Sequence, residues 1–238
     1  MRKENYLLHK LHSLTGIVPV GFYLVQHLTL NTFTLAGPDA YNSVIKFFEH
    51  MPPHVLAVLK YGVIWLPLIF HAVYGMFISA RADWSTTKTF SQYREQKYFN
   101  WQRWSGMFAF LFLCYHMAST SVAGSIRGAE NTIYYDKWAG HLQYGFFGIP
   151  YLMLVVYILG VVASAYHFSY GLWNFAIRWG ITVNEKSQQT LAKVSKVAFV
   201  GISALGIAAL VGFFLHKNTG PESVQKVQPS IPVSTMVR

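Results

Sequence analysis

The chain has 238 residues, of which 53% are hydrophobic and 17% aromatic, while only 12% are charged. That charge fraction is about half the value of an ordinary soluble domain, which excludes a water-soluble globular enzyme as the class. The net charge of +10 is concentrated in segments between long apolar runs, so it argues for membrane topology and for an acidic partner or anionic lipid, not for nucleic acid.

A helix crossing the hydrocarbon needs roughly 20 mostly apolar residues at 1.5 Å rise each. Five stretches meet that length, at about 14–34, 61–80, 104–124, 148–175 and 196–215. No polar stretch is long enough for a separate soluble domain, so residues 1–216 read as one helical membrane domain. With the N-terminus inside, twelve Lys and Arg fall on the inner segments and seven on the outer ones. The positive-inside rule then predicts a cytoplasmic N-terminus and an external C-terminus.

The N-terminal lead carries Arg2 and Lys3 ahead of the first apolar run, which holds Pro19 and His27 and no prompt cleavage site, so it reads as a retained span. The loop from about 35 to 60 turns at Pro52-Pro53. The loop 81–103 is the most charged of the chain and ends in Trp101-Gln102-Arg103-Trp104, an interfacial anchor pattern. The outer loop 125–147 has room for a short amphipathic piece. Cys114, inside the third span, is the single cysteine and reads as a small packing residue, with no Cys-x-x-Cys-His site for covalent haem. The fifth span reads as packing, and the Pro-containing tail 217–238 as disordered.

Four histidines stand inside the first four spans: His27, His71, His116 and His167. Ionisable side chains within the hydrocarbon are costly and mark functional sites. Counting from the span ends, His27 and His116 lie about 18 Å from the inner edge, and His71 and His167 about 13 Å from it. Spans two and four also share the pattern His-x-x-Tyr-Gly, at His71–Gly75 and His167–Gly171. Two imidazoles at one depth on facing helices are what a low-spin b-type haem needs as axial ligands. The pattern predicts an all-α integral membrane protein with four helices bundled around two stacked haems b. His27 and His116 would hold the outer iron, His71 and His167 the inner. A haem-free transporter or proton relay using the same histidines is the competing class.

The stretches Leu11–Gly21, Leu66–Gly75 and His167–Trp173 with Trp179–Val183 resemble the diheme cytochrome b anchor subunit of bacterial succinate dehydrogenase. The likeness covers about residues 5–215 and not the tail. It implies a subunit of the bacterial cytoplasmic membrane without its own dehydrogenase chemistry. Flavoprotein and iron–sulfur partner subunits, carrying FAD and the iron–sulfur clusters, would dock on the cytoplasmic face. Electrons would pass through the inner and outer haems to menaquinone. An anchor of a quinol:fumarate reductase fits the same residues. On this reading His12, Ser13, Gln102, Arg103 and Arg178 are candidates for inner haem propionate contacts. Asn31, Glu49 and His50 are quinone-site candidates, because quinone reduction moves two protons.

Overall fold

A computed structural model describes residues 6–81, 90–144 and 149–216. The expected tail from 217 and residues 82–89 of the basic loop lie outside them. Every regular element among the described residues is helical, and five helices are long and apolar enough to cross a membrane. The protein is an all-α membrane protein of five spans.

Span I, Tyr6–Ala36, is built from α1 (Tyr6–Ile17), α2 (Pro19–Asn31) and a closing 3₁₀ turn over Thr32–Ala36. Proline has no backbone N–H to donate and suits the first turn of a helix, so Pro19 starts α2 and marks a break at Val18 without ending the span. Gly37, at φ +101°, ends it, a left-handed conformation that favours glycine. Amphipathic α3 (Pro38–Glu49) follows, burying Tyr41. Span II begins at Pro53, eight residues earlier than the apolar run. It comprises α4 (Pro53–Ala57), a π-helical stretch Val58–Trp65 and α5 (Leu66–Ala80).

Span III belongs to α6 (Phe90–Met117), continued by a π turn Ala118–Val122 and α7 (Ala123–Arg127). The outer loop does hold a short helix, α8 (Tyr135–Tyr144), with Tyr135, Trp138, Ala139 and Leu142 buried. Span IV is α9 (Leu152–Arg178). It starts four residues later than the apolar pattern, because Pro150 and left-handed Tyr151 (φ 59°) form the preceding turn. Span V is α10 (Glu185–Leu215), opened by a capping box in which Asn184 accepts from the Ser187 backbone N–H and Ser187 from that of Asn184.

Spans I to IV stand in cyclic order, each against the next and IV against I. Span V packs outside this square on spans I and IV. Its buried face includes the small residues Ser195, Ser203, Gly206, Ala209 and Gly212, which let helices approach closely without an aqueous hydrophobic drive. Cys114 is exposed on the outside of the bundle, a correction to its packing role: three residues from exposed Leu111, it shares that outward side of the helix.

Candidate cofactor site

His27 lies on α2 and His116 on α6, so this pair spans one diagonal of the square; His71 on α5 and His167 on α9 span the other. The rings meet in those pairs. The His27 and His116 centroids are 5.6 Å apart with planes at 73°, and those of His71 and His167 are 6.0 Å apart at 79°. Two metal–nitrogen bonds of about 2 Å each, end to end between imidazoles, require a centroid separation of roughly 6 Å. The pairs therefore have the spacing that one metal between two rings demands. Among the described residues no three His, Cys, Asp or Glu side chains gather as a metal-ion site would need, whereas a porphyrin iron needs only two protein ligands.

The two levels are well separated. The His71 ring faces Gly16, eleven residues before His27, and the His167 ring faces Gly106, ten before His116. At 1.5 Å per residue both spans put the levels about 15 Å apart.

Each histidine is oriented by its other ring nitrogen. At the level nearer the start of the chain, His71 Nδ1 donates to the His12 carbonyl at 2.9 Å and His167 Nδ1 to the Gln102 carbonyl at 3.0 Å. Carbonyls only accept, so Nδ1 carries the proton and Nε2 is left as the basic nitrogen. The arrangement is reciprocal. His71 packs on Gly16 while His12 packs on Gly75; His167 packs on Gly106 while Gln102 packs on Gly171. The repeated His-x-x-Tyr-Gly glycines thus admit the very residues whose carbonyls hold the motif histidines.

At the other level His116 Nδ1 lies 3.1 Å from the Tyr157 hydroxyl. His27 Nδ1 lies 3.5 Å from that of Tyr23. Asn31 belongs here: its amide donates to the His27 carbonyl at 2.7 Å and sits 3.4 Å from His27 Nε2. Beyond Tyr157, the Tyr115 hydroxyl lies 2.7 Å from His141 Nε2 on α8, where burial holds the imidazole below the usual histidine range.

The remaining expected residues divide by place. His12 stacks on His71 at 4.1 Å with planes 9° apart, and its Nδ1 is buried without a partner. Gln102 donates to the His167 carbonyl at 2.8 Å. Ser13 accepts from the Trp179 indole at 3.0 Å, tying α1 to the end of α9. Arg178 reaches His9 at 3.4 Å, and Arg103 reaches Asn100 at 3.2 Å. Glu49 and His50 are exposed. His50 donates back to the Lys46 carbonyl at 2.6 Å, and Glu49 accepts the Tyr134 hydroxyl at 2.8 Å.

That last bond pushes Tyr134 up to about 12, the hydrogen bond to Glu49 being the largest cause. The ordinary tyrosine value is about 10, so folding favours the neutral phenol. The contact is fully present below pH 10 and is lost as pH rises toward 12. In an absorbance titration, the parent minus Tyr134→Phe difference should show tyrosinate forming near pH 12; formation near pH 10 would mean the Glu49 bond is absent in solution.

Residues that sequence reasoning passed over are Gly16, Gly106, Tyr23, Ser119 and Tyr157. A signal existed for the first two. His12 and Gln102 each precede a glycine by four residues, the same spacing as His71–Gly75 and His167–Gly171.

The fold defines a multi-pass helical membrane protein, with imidazole pairs on both diagonals of a four-helix square. No family model matches the chain. It is 36% identical over 214 residues to the succinate dehydrogenase cytochrome b558 subunit of Bacillus subtilis (strain 168), an alignment spanning 88% of this chain and 98% of that protein. The chain belongs to the family of succinate dehydrogenase cytochrome b558 subunits.

Proposed function

We propose that the chain is the membrane anchor of a succinate dehydrogenase and carries electrons from an iron–sulfur partner subunit, through an inner and an outer haem b, to menaquinone. The observation that supports this best is the pair of imidazole contacts, 5.6 and 6.0 Å between centroids, on opposite diagonals of one bundle. His71 and His167 would hold the inner group, His27 and His116 the outer. The relative's name specifies a b-type cytochrome of succinate dehydrogenase, and the donor sets suit haem b.

Bound haem would supply reversible one-electron exchange at its iron. The chain's own part is to ligate, orient and keep water out. The His12 and Gln102 carbonyls keep the protons of His71 and His167 on Nδ1. The partnerless His12 Nδ1, when it carries the ring proton, would donate to a propionate beside that pair, and Ser13, Gln102, Arg103 and Arg178 lie at the same end of the bundle as further propionate contacts. At the other level Asn31 is a quinone-site residue through its place against His27. Glu49 and His50 are weaker choices, since their polar contacts lie within the exposed loops.

The excess of Lys and Arg on the segments at the His71 level supports a cytoplasmic N-terminus, with flavoprotein and iron–sulfur subunits docked there. The domain reading remains one bundle over residues 1–216 with an external tail.

Pyridine haemochrome assay of the detergent-purified complex tests the proposal. About two haems b per chain are expected. His27→Ala and His116→Ala should lose one of them, and His71→Ala and His167→Ala the other. A native complex with no haem would sink the electron-transfer reading and leave the haem-free transporter class. Loss of both haems in every variant would refute the pairing.

A further inference from the structure

The four histidines are not held alike. His71 and His167 donate to backbone carbonyls, which no side-chain substitution removes. His27 stands 3.5 Å from its nearest hydroxyl. His116 alone of the four has Nδ1 within 3.1 Å of a replaceable side chain, Tyr157 on span IV. We propose that Tyr157 positions the His116 imidazole through a closed, one-way ring of hydrogen bonds completed by Ser119; this rests on reading the four histidines as haem ligands.

The direction of each bond follows from the groups. A ligating His116 presents an unprotonated Nε2, so Nδ1 carries the proton and donates to Tyr157 Oη. Tyr157 then has its own hydroxyl proton to give, and Ser119 Oγ is 3.4 Å away. Ser119 in turn donates to the His116 carbonyl at 3.2 Å, an acceptor only. Imidazole, phenol, hydroxyl and carbonyl thus close a circuit in which every donor has one acceptor. Bonds in such a chain polarise one another in a low-dielectric site.

The local fold is arranged around this circuit. The π turn that carries Ser119 starts two residues past His116, and π bulges occur mostly at functional sites. Tyr157 is 4% exposed. Phe112 walls it, edge-on to Tyr157 at 5.1 Å and stacked beside His116 at 5.8 Å. Gly160 is what makes room for Phe112, since a Cβ there would overlap its ring.

An acceptor on Nδ1–H raises the basicity of the ligating nitrogen. Its removal weakens donation to the oxidised iron, so the midpoint potential of that haem should rise. The ring also loses the contact that fixes its plane near 73° to His27, so the low-spin EPR signal should move.

The test is potentiometric titration with low-temperature EPR on the purified complex of parent, Tyr157→Phe, Ser119→Ala and Tyr135→Phe. The haem lost in His27→Ala identifies the relevant one. In Tyr157→Phe its potential rises and its EPR signal shifts while the other haem stays at parent values. Ser119→Ala gives a smaller shift of the same sign. Tyr135→Phe removes a buried hydroxyl bonded elsewhere, to the Gly212 carbonyl, and moves neither haem. Parent values throughout in Tyr157→Phe overturn the proposal. If Tyr157→Phe instead loses that haem, Ser119→Ala decides: a shift supports the ring, parent values overturn it. A parent complex without haem overturns the functional reading as well, whereas a haem-bearing parent with an unmoved Tyr157→Phe overturns the ring alone.

Discussion

Gly106→Ala should deplete the haem that we assign to His71 and His167 and leave the other proposed haem in place. A Cβ on Gly106 would stand 2.6 Å from His167 Cε1 and 2.8 Å from Nδ1, closer than any real contact tolerates. The ring has no easy retreat, because its Nδ1 is tied to the Gln102 carbonyl on the same helix as Gly106. Relief costs about 1–3 kcal/mol of overpacking, plus roughly 1 kcal/mol where the Nδ1 bond breaks. At about 1.4 kcal/mol per tenfold, retention of that haem should weaken on the order of 100-fold. The haem content of the washed complex would fall from the proposed two toward one. Gly16→Ala, facing His71, should act at the same level. A full complement in both variants would show that these glycines are not what seats the pair.

Gly212→Val should cost the bundle a large part of its stability. Gly212 faces Thr34, and an added Cβ would overlap the Thr34 side chain and stand 2.7 Å from its carbonyl carbon. Thr34 is fully buried, where its hydroxyl bonds the Ala209 carbonyl at 2.8 Å and the Asn31 carbonyl at 2.9 Å. The Gly212 carbonyl also accepts the buried Tyr135 hydroxyl at 2.7 Å. One position therefore joins the end of span I, helix α8 and span V. Overpacking of about 1–3 kcal/mol with two buried bonds weakened by roughly 1 kcal/mol each predicts a loss of about 4 kcal/mol. For a chain of this size that lowers the thermal midpoint by roughly 8–16 °C. Gly201→Val is the control, since nothing lies within 4 Å of its Cβ position. Equal midpoints for the two variants would refute the junction.

The identity of this site was legible in the sequence to an uneven depth. Span number followed from runs of apolar residues, because hydrocarbon thickness sets a length that can be counted. The grouping of His27 with His116 and of His71 with His167 followed from depth, since rise per residue is constant along a helix. The structure brings the rings together in those same pairs. The helix ends were less accessible: span II starts at Pro53 and not near 61, because Pro53 suits a helix's first turn and the helix runs on through His54 and Lys60.

What only the tertiary structure decided is which group each imidazole meets with its second nitrogen. That depends on how each helix is rotated about its axis and how closely its neighbour approaches, and spacing along one helix carries neither. Depth made His12 and Gln102 candidates for propionate contacts; the packing of spans I on II and III on IV turned their main-chain carbonyls toward His71 and His167. Tyr157 lies ten residues from His167 in sequence yet serves His116 on another helix. Glu49, a quinone candidate from its position in the outer loop, is engaged by Tyr134 from a loop 85 residues away. The sequence by itself determined a five-span membrane protein with four histidines at two depths, since membrane thickness and helix rise act locally. The tertiary structure determined their diagonals, their hydrogen-bond acceptors and the glycines that admit them, since those arise only where two helices meet.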